Sequence, residues 1–113
     1  MKTTVVFLGS AEDDLKELNR YIVKNFGEET WQTSYRKIKD SIGLLTTFPL
    51  AGKIPEELGR LNLTQYRQVL SGMNRIIYEV RQHTIYIHLV CDSRKDMQSH
   101  LTRRLLKYEP PSK

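Results

Sequence analysis

Residues 65–92 read QYRQVLSGMNRIIYEVRQHTIYIHLVCD, and this stretch decides the fold. Its apolar residues recur with a period close to two, which is the period of β-strands. Strands are predicted over residues 66–70, 75–81 and 84–92, because turn-forming residues separate them at 71–74 and at Gln82-His83. We therefore expect a meander of three antiparallel strands.

The second and third of these strands can be sorted by side. A two-residue turn at Gln82-His83 would pair Val80 with Ile85, Tyr78 with Ile87 and Ile76 with Leu89. This side is apolar except for one phenol, so it is predicted to face the core. The other side is expected to be solvated, as one side of an antiparallel sheet often is. It would present Arg75, Ile77, Glu79, Tyr86, His88 and Val90.

The preceding residues are predicted to form one strand and two helices. Val5 to Leu8 is rich in β-formers, and Ser10 with Asp13 has the pattern of a capping box at a helix start. Apolar residues then follow at helical steps of three and four. The first series is Ala11, Leu15, Leu18, Ile22 and Phe26, and the second is Trp31, Tyr35, Ile38, Ile42 and Leu45.

Gly27 suits the end of the first helix, and Glu28 suits the start of the second, which should stop before Phe48-Pro49. Two helices with so short a link are expected to form an antiparallel hairpin packed on the sheet. A last helix is predicted over 94–107, followed by a frayed tail at 109–113. The chain of 113 residues is thus predicted to be one α+β domain.

Composition narrows the functional classes. The chain has one cysteine, Cys91, so it cannot form an internal disulfide, and its three histidines are too scattered to suggest a metal site. Neither a cofactor nor a membrane partner is expected. The N-terminus turns acidic at Glu12-Asp13-Asp14, which does not fit a signal peptide, so a cytoplasmic protein is predicted.

Positive charge is concentrated in the second half of the chain. Residues 1–59 carry eight Lys/Arg and nine Asp/Glu, a net charge of −1, whereas residues 60–113 carry ten and four, a net charge of +6. This asymmetry favours an anionic partner, either a nucleic acid or an acidic polypeptide. An ordinary basic surface would have the same composition, so charge alone leaves both interpretations open.

Several residues of this half are candidates for an anion site. Arg75 begins its strand where the third strand ends, close to Arg94 at the start of the last helix. Two arginines beside a helix N-terminus could bind a phosphate. His100 is a candidate proton carrier, and the orientation of Arg67 is left open by the pattern. The further candidates for target or anion binding are Arg67, Tyr86, His88 and Lys95.

At this point the sequence resembles the RelE/ParE superfamily of toxins from bacterial toxin–antitoxin systems. The first motifs are Ala11-x3-Leu15-x2-Leu18-x2-Tyr21-Ile22 and Leu45-x2-Phe48-Pro49-x2-Gly52. Closer similarity lies in Tyr66-Arg67-Gln68, in Gly72-Met73-Asn74-Arg75-Ile76-Ile77-Tyr78-Glu79-Val80, in Ile85-x-Ile87 and in Ser93-Arg94-Lys95-Asp96. Each motif is short, but their order and spacing over residues 5–107 are typical of the superfamily.

The resemblance implies a fold and a partner. The fold would be a helical hairpin packed on a curved antiparallel sheet, in which the first strand joins the C-terminal meander. The partner would be a cognate antitoxin, whose extended acidic or amphipathic segment wraps the toxin and neutralises it. Operator DNA would be reached only through that antitoxin.

Two activities are compatible with the resemblance. RelE-like members cleave mRNA on the ribosome; Arg75 and Arg94 match their arginines and His100 matches their tyrosine, while Arg67 and Val69 correspond to two lysines, one of which is therefore lost. ParE-like members inhibit DNA gyrase, and the long hairpin with its Tyr-Ile and Phe-Pro-x-x-Gly features favours this activity. A toxin acting on gyrase is the leading expectation, with a ribosome-dependent endoribonuclease as the alternative. A non-toxic adaptor that binds RNA or protein is the third possibility.

Overall fold

The structure is a computed structural model, and it describes residues 3–92. The predicted last helix and the tail at 109–113 lie outside these residues. Seven elements follow one another in the described part: β1 (Thr4–Phe7), α1 (Gly9–Phe26), α2 (Glu28–Thr47), α3 (Glu56–Gly59), β2 (Tyr66–Ser71), β3 (Asn74–Arg81) and β4 (Thr84–Asp92).

The four strands form one sheet in the order β1-β4-β3-β2. The predicted meander β2-β3-β4 is antiparallel, and β1 joins it as the resemblance implied. However, β1 runs parallel to β4, so the sheet is mixed and not wholly antiparallel. Backbone hydrogen bonds from Thr4 N to His83 O (2.9 Å) and from Leu8 N to Ile87 O (3.1 Å) hold the two ends of β1. The α+β class is confirmed.

The two long helices pack on one side of the sheet. Their buried residues follow the predicted stripes and join side chains of β3 and β4 in the main core, which includes Ala11, Leu18, Ile22, Trp31, Ile38, Ile42, Leu45, Ile76, Tyr78, Ile85, Ile87 and Val90. Two stripe residues depart from the prediction, because Phe26 and Tyr35 are exposed. Phe26 is the last residue of its helix, and Tyr35 stacks on Trp31 at a centroid distance of 5.3 Å.

The predicted cap of the first helix is wrong. Helix α1 begins at Gly9, with Leu8 as the N-cap residue and no side-chain cap hydrogen bond. Ser10 lies inside the helix and its hydroxyl donates to the backbone oxygen of His88 at 3.5 Å. The capping pattern at Ser10 and Asp13 therefore serves no cap here, because a tertiary contact with β4 takes the hydroxyl.

The pairing of β3 with β4 contains a β-bulge. Val80 lies opposite Ile85 and Tyr78 opposite Ile87, as predicted, but the register then shifts and Ile77 lies opposite Leu89. His88 is the extra residue. The predicted pair of Ile76 with Leu89 is wrong, since Ile76 lies opposite Val90. A one-residue bulge reverses which side of the sheet the following residues face, so Val90 belongs to the helix side and Leu89 does not.

Helix α1 holds this bulge in place. The Val90 N–H donates to Asp14 Oδ2 at 3.1 Å, and this contact is buried. Asp14 lies three residues after Ala11 and four before Leu18, so it occupies the buried stripe of α1. A charged acceptor on that stripe provides a partner for a strand N–H beside the irregular part of the ladder.

The side of the sheet away from the long helices is not fully exposed to solvent. A second core of five buried residues lies there, with Leu63 packed against it: Leu58, Tyr66, Ile77, Leu89 and Cys91. Leu58 comes from the short helix α3, which belongs to the segment predicted as a loop. The expectation of one solvated sheet face is therefore wrong over this part of the sheet.

Candidate functional site

Two side chains, the carboxylate of Glu57 and the amide of Gln68, hold Arg75 in place. Its Nη2 atom donates to Glu57 Oε1 at 2.6 Å and to Gln68 Oε1 at 2.6 Å, and its Nε donates to the same Gln68 oxygen at 3.0 Å. The side chains of Arg75 and Glu57 are only 17% and 19% exposed. A charge-assisted pair at this depth fixes the guanidinium group inside the protein rather than presenting it to a target.

Sequence reasoning missed Glu57, the partner of Arg75. Glu57 stands in α3 with Glu56 before it, and 18 residues separate it from Arg75. No periodicity connects a short loop helix with a strand so far along the chain. The pair forms only because α3 folds beside the ends of β2 and β3.

His88 is buried and makes polar contacts inside the fold. Its Nε2 lies 3.1 Å from Glu79 Oε1, and its ring meets the Tyr66 ring edge-on at a centroid distance of 5.0 Å. Glu79 Oε2 in turn lies 3.3 Å from Arg81 Nε. The prediction that His88 lies on a solvated anion-binding face is thus corrected, because the bulge places this residue in a buried Glu–His–Tyr cluster.

Tyr86, like Arg75, stays partly accessible on the predicted face. It lies opposite Glu79 on β3 and beside Val6 on β1, and its side chain is half-buried. Arg81, with a side chain 40% exposed, flanks the same end of the sheet. This corner, and not the middle of the face, is where the described sheet offers polar groups to a partner.

Arg67 lies on the helix-facing side of the sheet, opposite Tyr78. Its Nη1 donates to the backbone oxygens of Gly52 at 2.8 Å and Leu50 at 3.3 Å. The sequence left the orientation of Arg67 open, and the structure shows its side chain bound to the loop after α2. Lys53, in the same loop, pairs with Gln68 through backbone hydrogen bonds of 2.7 and 3.1 Å.

Tyr78 completes the attachment of this loop. Its hydroxyl donates to Pro49 O at 2.8 Å and accepts from Gly52 N at 2.9 Å. A Cβ atom on Gly52 would lie 2.6 Å from the same hydroxyl and 2.6 Å from Gln68 O, so only glycine fits. Burial raises the pKa of Tyr78 above 10.0, while the hydrogen bond from Gly52 and the charge of Arg67 lower it in part. The Phe-Pro-x-x-Gly motif and the tyrosine thus form one structural unit.

The other three predicted site residues, Arg94, Lys95 and His100, lie outside the described residues. The proposed clamp of Arg75 with Arg94 and the role of His100 in proton transfer stay predictions. Within residues 3–92, no helix is both long and apolar enough to cross a membrane. The same part of the chain has no group of three or more His, Cys, Asp or Glu side chains placed to hold a metal ion.

The described geometry limits what Arg67 and Arg75 can do. Both arginines donate to groups of the protein itself, and His88 lies beneath the surface. Glu57 and Gln68 occupy the Nε and Nη2 donors of Arg75, so a phosphate could bind these two donors only by displacing them. Such an exchange gives up a nearly buried ion pair, so it is costly unless the incoming anion replaces every lost contact.

The described chain thus has an N-terminal strand, two long helices and three further strands that join the first in a four-stranded mixed sheet. A sequence profile described as the ParE toxin of type II toxin–antitoxin systems, parDE, matches residues 5–97. That range is most of the chain, and this protein therefore belongs to the ParE toxin family. No curated protein matches the chain at a significant level.

Two solved structures share the fold at low sequence identity. The chromosomal ParDE toxin–antitoxin system of P. aeruginosa is 16% identical, with a TM-score of 0.65, over 80% of this chain and 95% of that one. The RelBE2 toxin–antitoxin complex of Mycobacterium tuberculosis is 22% identical, with a TM-score of 0.57, over 81% of this chain and 99% of that one. The TM-scores show that the three proteins share a fold, and at identities this low the comparison shows the fold alone.

Proposed function

We propose that this protein is a growth-arresting toxin that inhibits DNA gyrase and is neutralised by a cognate antitoxin. The observation that carries the proposal is the match of residues 5–97 to the ParE toxin family. Helices α1 and α2, of 18 and 20 residues, also supply the long hairpin that favours the ParE-like activity.

The geometry of Arg75 supports inhibition without cleavage. A nuclease that stabilises a charged phosphate transition state needs cations aimed at that phosphate. Arg75 instead points at Glu57 and Gln68, and Val69 stands where RelE-like enzymes have a second lysine. Arg67 is bound to loop carbonyls, so neither of these two arginines is presented to RNA.

The antitoxin surface is proposed to include the apolar end of the helical pair. Leu44, Phe48 and Leu50 are between 61% and 64% exposed, and they follow one another over the last turn of α2 and the next loop. Large apolar side chains grouped in this way are typical of protein interaction sites. An amphipathic segment of an antitoxin could cover them, while acidic residues of the same polypeptide meet the basic second half of the chain.

Two assays on the purified full chain test the proposal. The first measures gyrase-dependent supercoiling of a relaxed plasmid, and the second maps the 5′ ends of a transcript in a reconstituted translation reaction. We expect loss of supercoiling and an intact transcript. New 5′ ends that require ribosomes, with supercoiling unaffected, would instead identify a RelE-like ribonuclease. Absence of both effects, together with normal growth on overexpression, would identify a non-toxic adaptor.

A pair of variants separates a structural Arg75 from one that binds the target. Arg75→Ala and Glu57→Ala both remove the ion pair, and Arg75→Ala also removes the two hydrogen bonds to Gln68. A structural role therefore predicts that both variants lower the melting temperature, Arg75→Ala by more, and that each reduces growth arrest only in proportion to that loss. A role in target binding predicts that only Arg75→Ala abolishes growth arrest, because Glu57→Ala frees the guanidinium group. Because the gyrase proposal assigns no phosphate-binding role to Arg75, it predicts the result of a structural role.

A further inference from the structure

A row of three polar side chains crosses the helix-facing side of the sheet at one end. Ser71 on β2 lies opposite Asn74 on β3, and Asn74 lies opposite Asp92 at the end of β4. Directly opposite residues of antiparallel strands share a side, so the three form one line. Each is at most 4% exposed. The neighbouring row toward the middle of the sheet is apolar: Val69, Ile76 and Val90.

The polar row forms one wall of a pocket of about 200 Å³. Helix α2 forms the opposite wall with Thr30, Ser34 and Lys37, which are spaced by four and three residues and so share a side of the helix. Pockets for drug-sized ligands or cofactors measure about 300–1,000 Å³, so this one suits a single side chain or a similarly small molecule. The remaining lining residues are Ile22, Gly72 and Met73.

Two atoms of this wall need a partner. Within residues 3–92, neither Ser71 Oγ nor Asn74 Oδ1 has a hydrogen-bond partner, although both are buried. Buried polar atoms are nearly always satisfied, and exceptions point to water, an ion or a ligand. An amide oxygen can only accept and a hydroxyl oxygen can accept, while the Asp92 carboxylate adds an acidic group to the same wall. The wall thus calls for a group that is rich in donors.

We propose that this pocket binds an ammonium or guanidinium group that is accompanied by a carboxylate. The N–H donors of the cation meet Asn74 Oδ1 and Ser71 Oγ, beside the acidic Asp92. Lys37 is exposed and lines the same pocket, so it stands at the mouth. Its charge opposes an isolated cation but attracts a carboxylate carried next to one. A free basic amino acid has this chemistry, and so does a basic residue flanked by acidic residues in a polypeptide.

The test is a set of NMR titrations of the ¹⁵N-labelled full chain with matched probes. We expect Nα-acetyl-arginine to shift the backbone amides of Gly72, Met73 and Asn74 in a saturable way. Nα-acetyl-citrulline has the same shape without the charge, and loss of charge-assisted hydrogen bonds should weaken its binding by about tenfold. Nα-acetyl-arginine amide lacks the carboxylate and should also bind more weakly, a difference that Lys37→Met removes.

Two sources of the ligand are distinguished by comparing free L-arginine with a Glu-Arg-Glu peptide blocked at both ends. Tighter binding of the amino acid supports a metabolite as the ligand, and tighter binding of the peptide supports a partner polypeptide. Equal binding of the citrulline and arginine probes, or shifts that never saturate, would overturn the proposal. So would the absence of shifts with every probe.

Variants of the wall provide a second test. Ser71→Ala and Asn74→Leu should each weaken Nα-acetyl-arginine by about tenfold, whereas Thr33→Ala, a matched change on the exposed part of α2, should not. Ser71→Ala should leave the melting temperature unchanged or raised, because the hydroxyl has no partner to lose. A melting temperature lowered by several degrees would show that the row is purely structural. If Asn74→Leu fails to fold, Ser71→Ala decides. The outcome is independent of the toxin's target.

Discussion

The two sides of the sheet are both buried, but they are buried by different means. The helix-facing side is covered by the amphipathic stripes of α1 and α2, and its core residues alternate along each strand. The opposite side has a smaller core that uses Leu58 from a four-residue helix and Leu89 from beyond the bulge. The first core follows from periodicity, whereas the second depends on the bulge and on a loop.

This difference explains why residues that were predicted to form a solvent-exposed site are instead paired inside the fold. On the helix-facing side, the buried polar residues that interrupt the apolar rows of the described sheet are Ser71, Asn74 and Asp92. On the opposite side, Arg75, Glu79 and His88 were expected to meet solvent, but each has a partner within the fold. Charged groups that pair with each other inside the fold are costly to separate, so they are poorly placed to bind a target.

The largest expected effect tests whether both sides are core. Ile87→Asp on the helix-facing side and Leu89→Asp on the other should each cost about 4 kcal/mol or more, since each buries an unpaired charge. Both positions are fully buried. Thermal unfolding followed by circular dichroism should show no cooperative transition for either variant.

Val6→Asp, at a partly exposed position on the edge strand β1, serves as the control and should unfold cooperatively. A folded Leu89→Asp with an unfolded Ile87→Asp would mean that the second side is wet after all.

The next effect concerns the loop attached to Tyr78 on the helix-facing side. Gly52→Ala should destabilise the protein by about 1–3 kcal/mol, because the new Cβ would overlap the Tyr78 ring and hydroxyl. Gly43→Ala, in the exposed interior of α2 with open space around it, should instead stabilise by about 0.5–1 kcal/mol. Urea unfolding measures both. Equal effects of the two substitutions would contradict the crowded contact at Gly52.

The bulge that separates the two sides is tested by Asp14. Asp14→Ala removes the acceptor of the Val90 N–H and should cost about 1.5–3 kcal/mol, as for hydrogen bonds to charged groups. Asp13→Ala, one residue earlier and exposed, should change stability by less than about 0.5 kcal/mol. A larger loss at Asp13 would restore the capping box that the sequence predicted. Amide hydrogen exchange at Val90 gives a local readout of the same contact.

The smallest expected effect is a pH dependence on the helix-facing side. The pKa of Tyr78 is raised in the folded state, so the unfolded chain loses this proton first as the pH rises. Its contribution is therefore complete below about pH 10, the ordinary tyrosine value, and is lost as the pH rises from there through the folded pKa. Wild type should lose stability over this range more steeply than Tyr78→Phe. Parallel alkaline curves would show that Tyr78 titrates normally.

Much of the fold could be predicted because its signals are local. Each signal comes from residues that are close together in the sequence. These signals are the strand period in residues 65–92, the helical stripes and the turn at Gln82-His83. The resemblance to the RelE/ParE superfamily was confirmed by the profile match over residues 5–97. The buried Asp14 also had a local signal, since it lies on the stripe of Ala11 and Leu18.

The candidate site was less predictable, because its partners are distant in sequence. Arg75 and His88 were placed on the correct strands, but their exposure depends on contacts that alternation does not encode. Arg67 was assignable to a strand but not to a partner. For Arg94, Lys95 and His100, the predictions still await a test.

By itself, then, the sequence determined the α+β class, the order of the strands and the two long helices, and most of the helix-facing core, because periodicity within one element decides which residues can be buried together. Only the tertiary structure decided the bulge at His88, the second core and the internal partners of the two arginines. Those features join residues that are far apart in the chain, such as Asp14 with Val90 and Glu57 with Arg75. Their geometry exists only once the helices, the loop after α2 and the sheet have packed together.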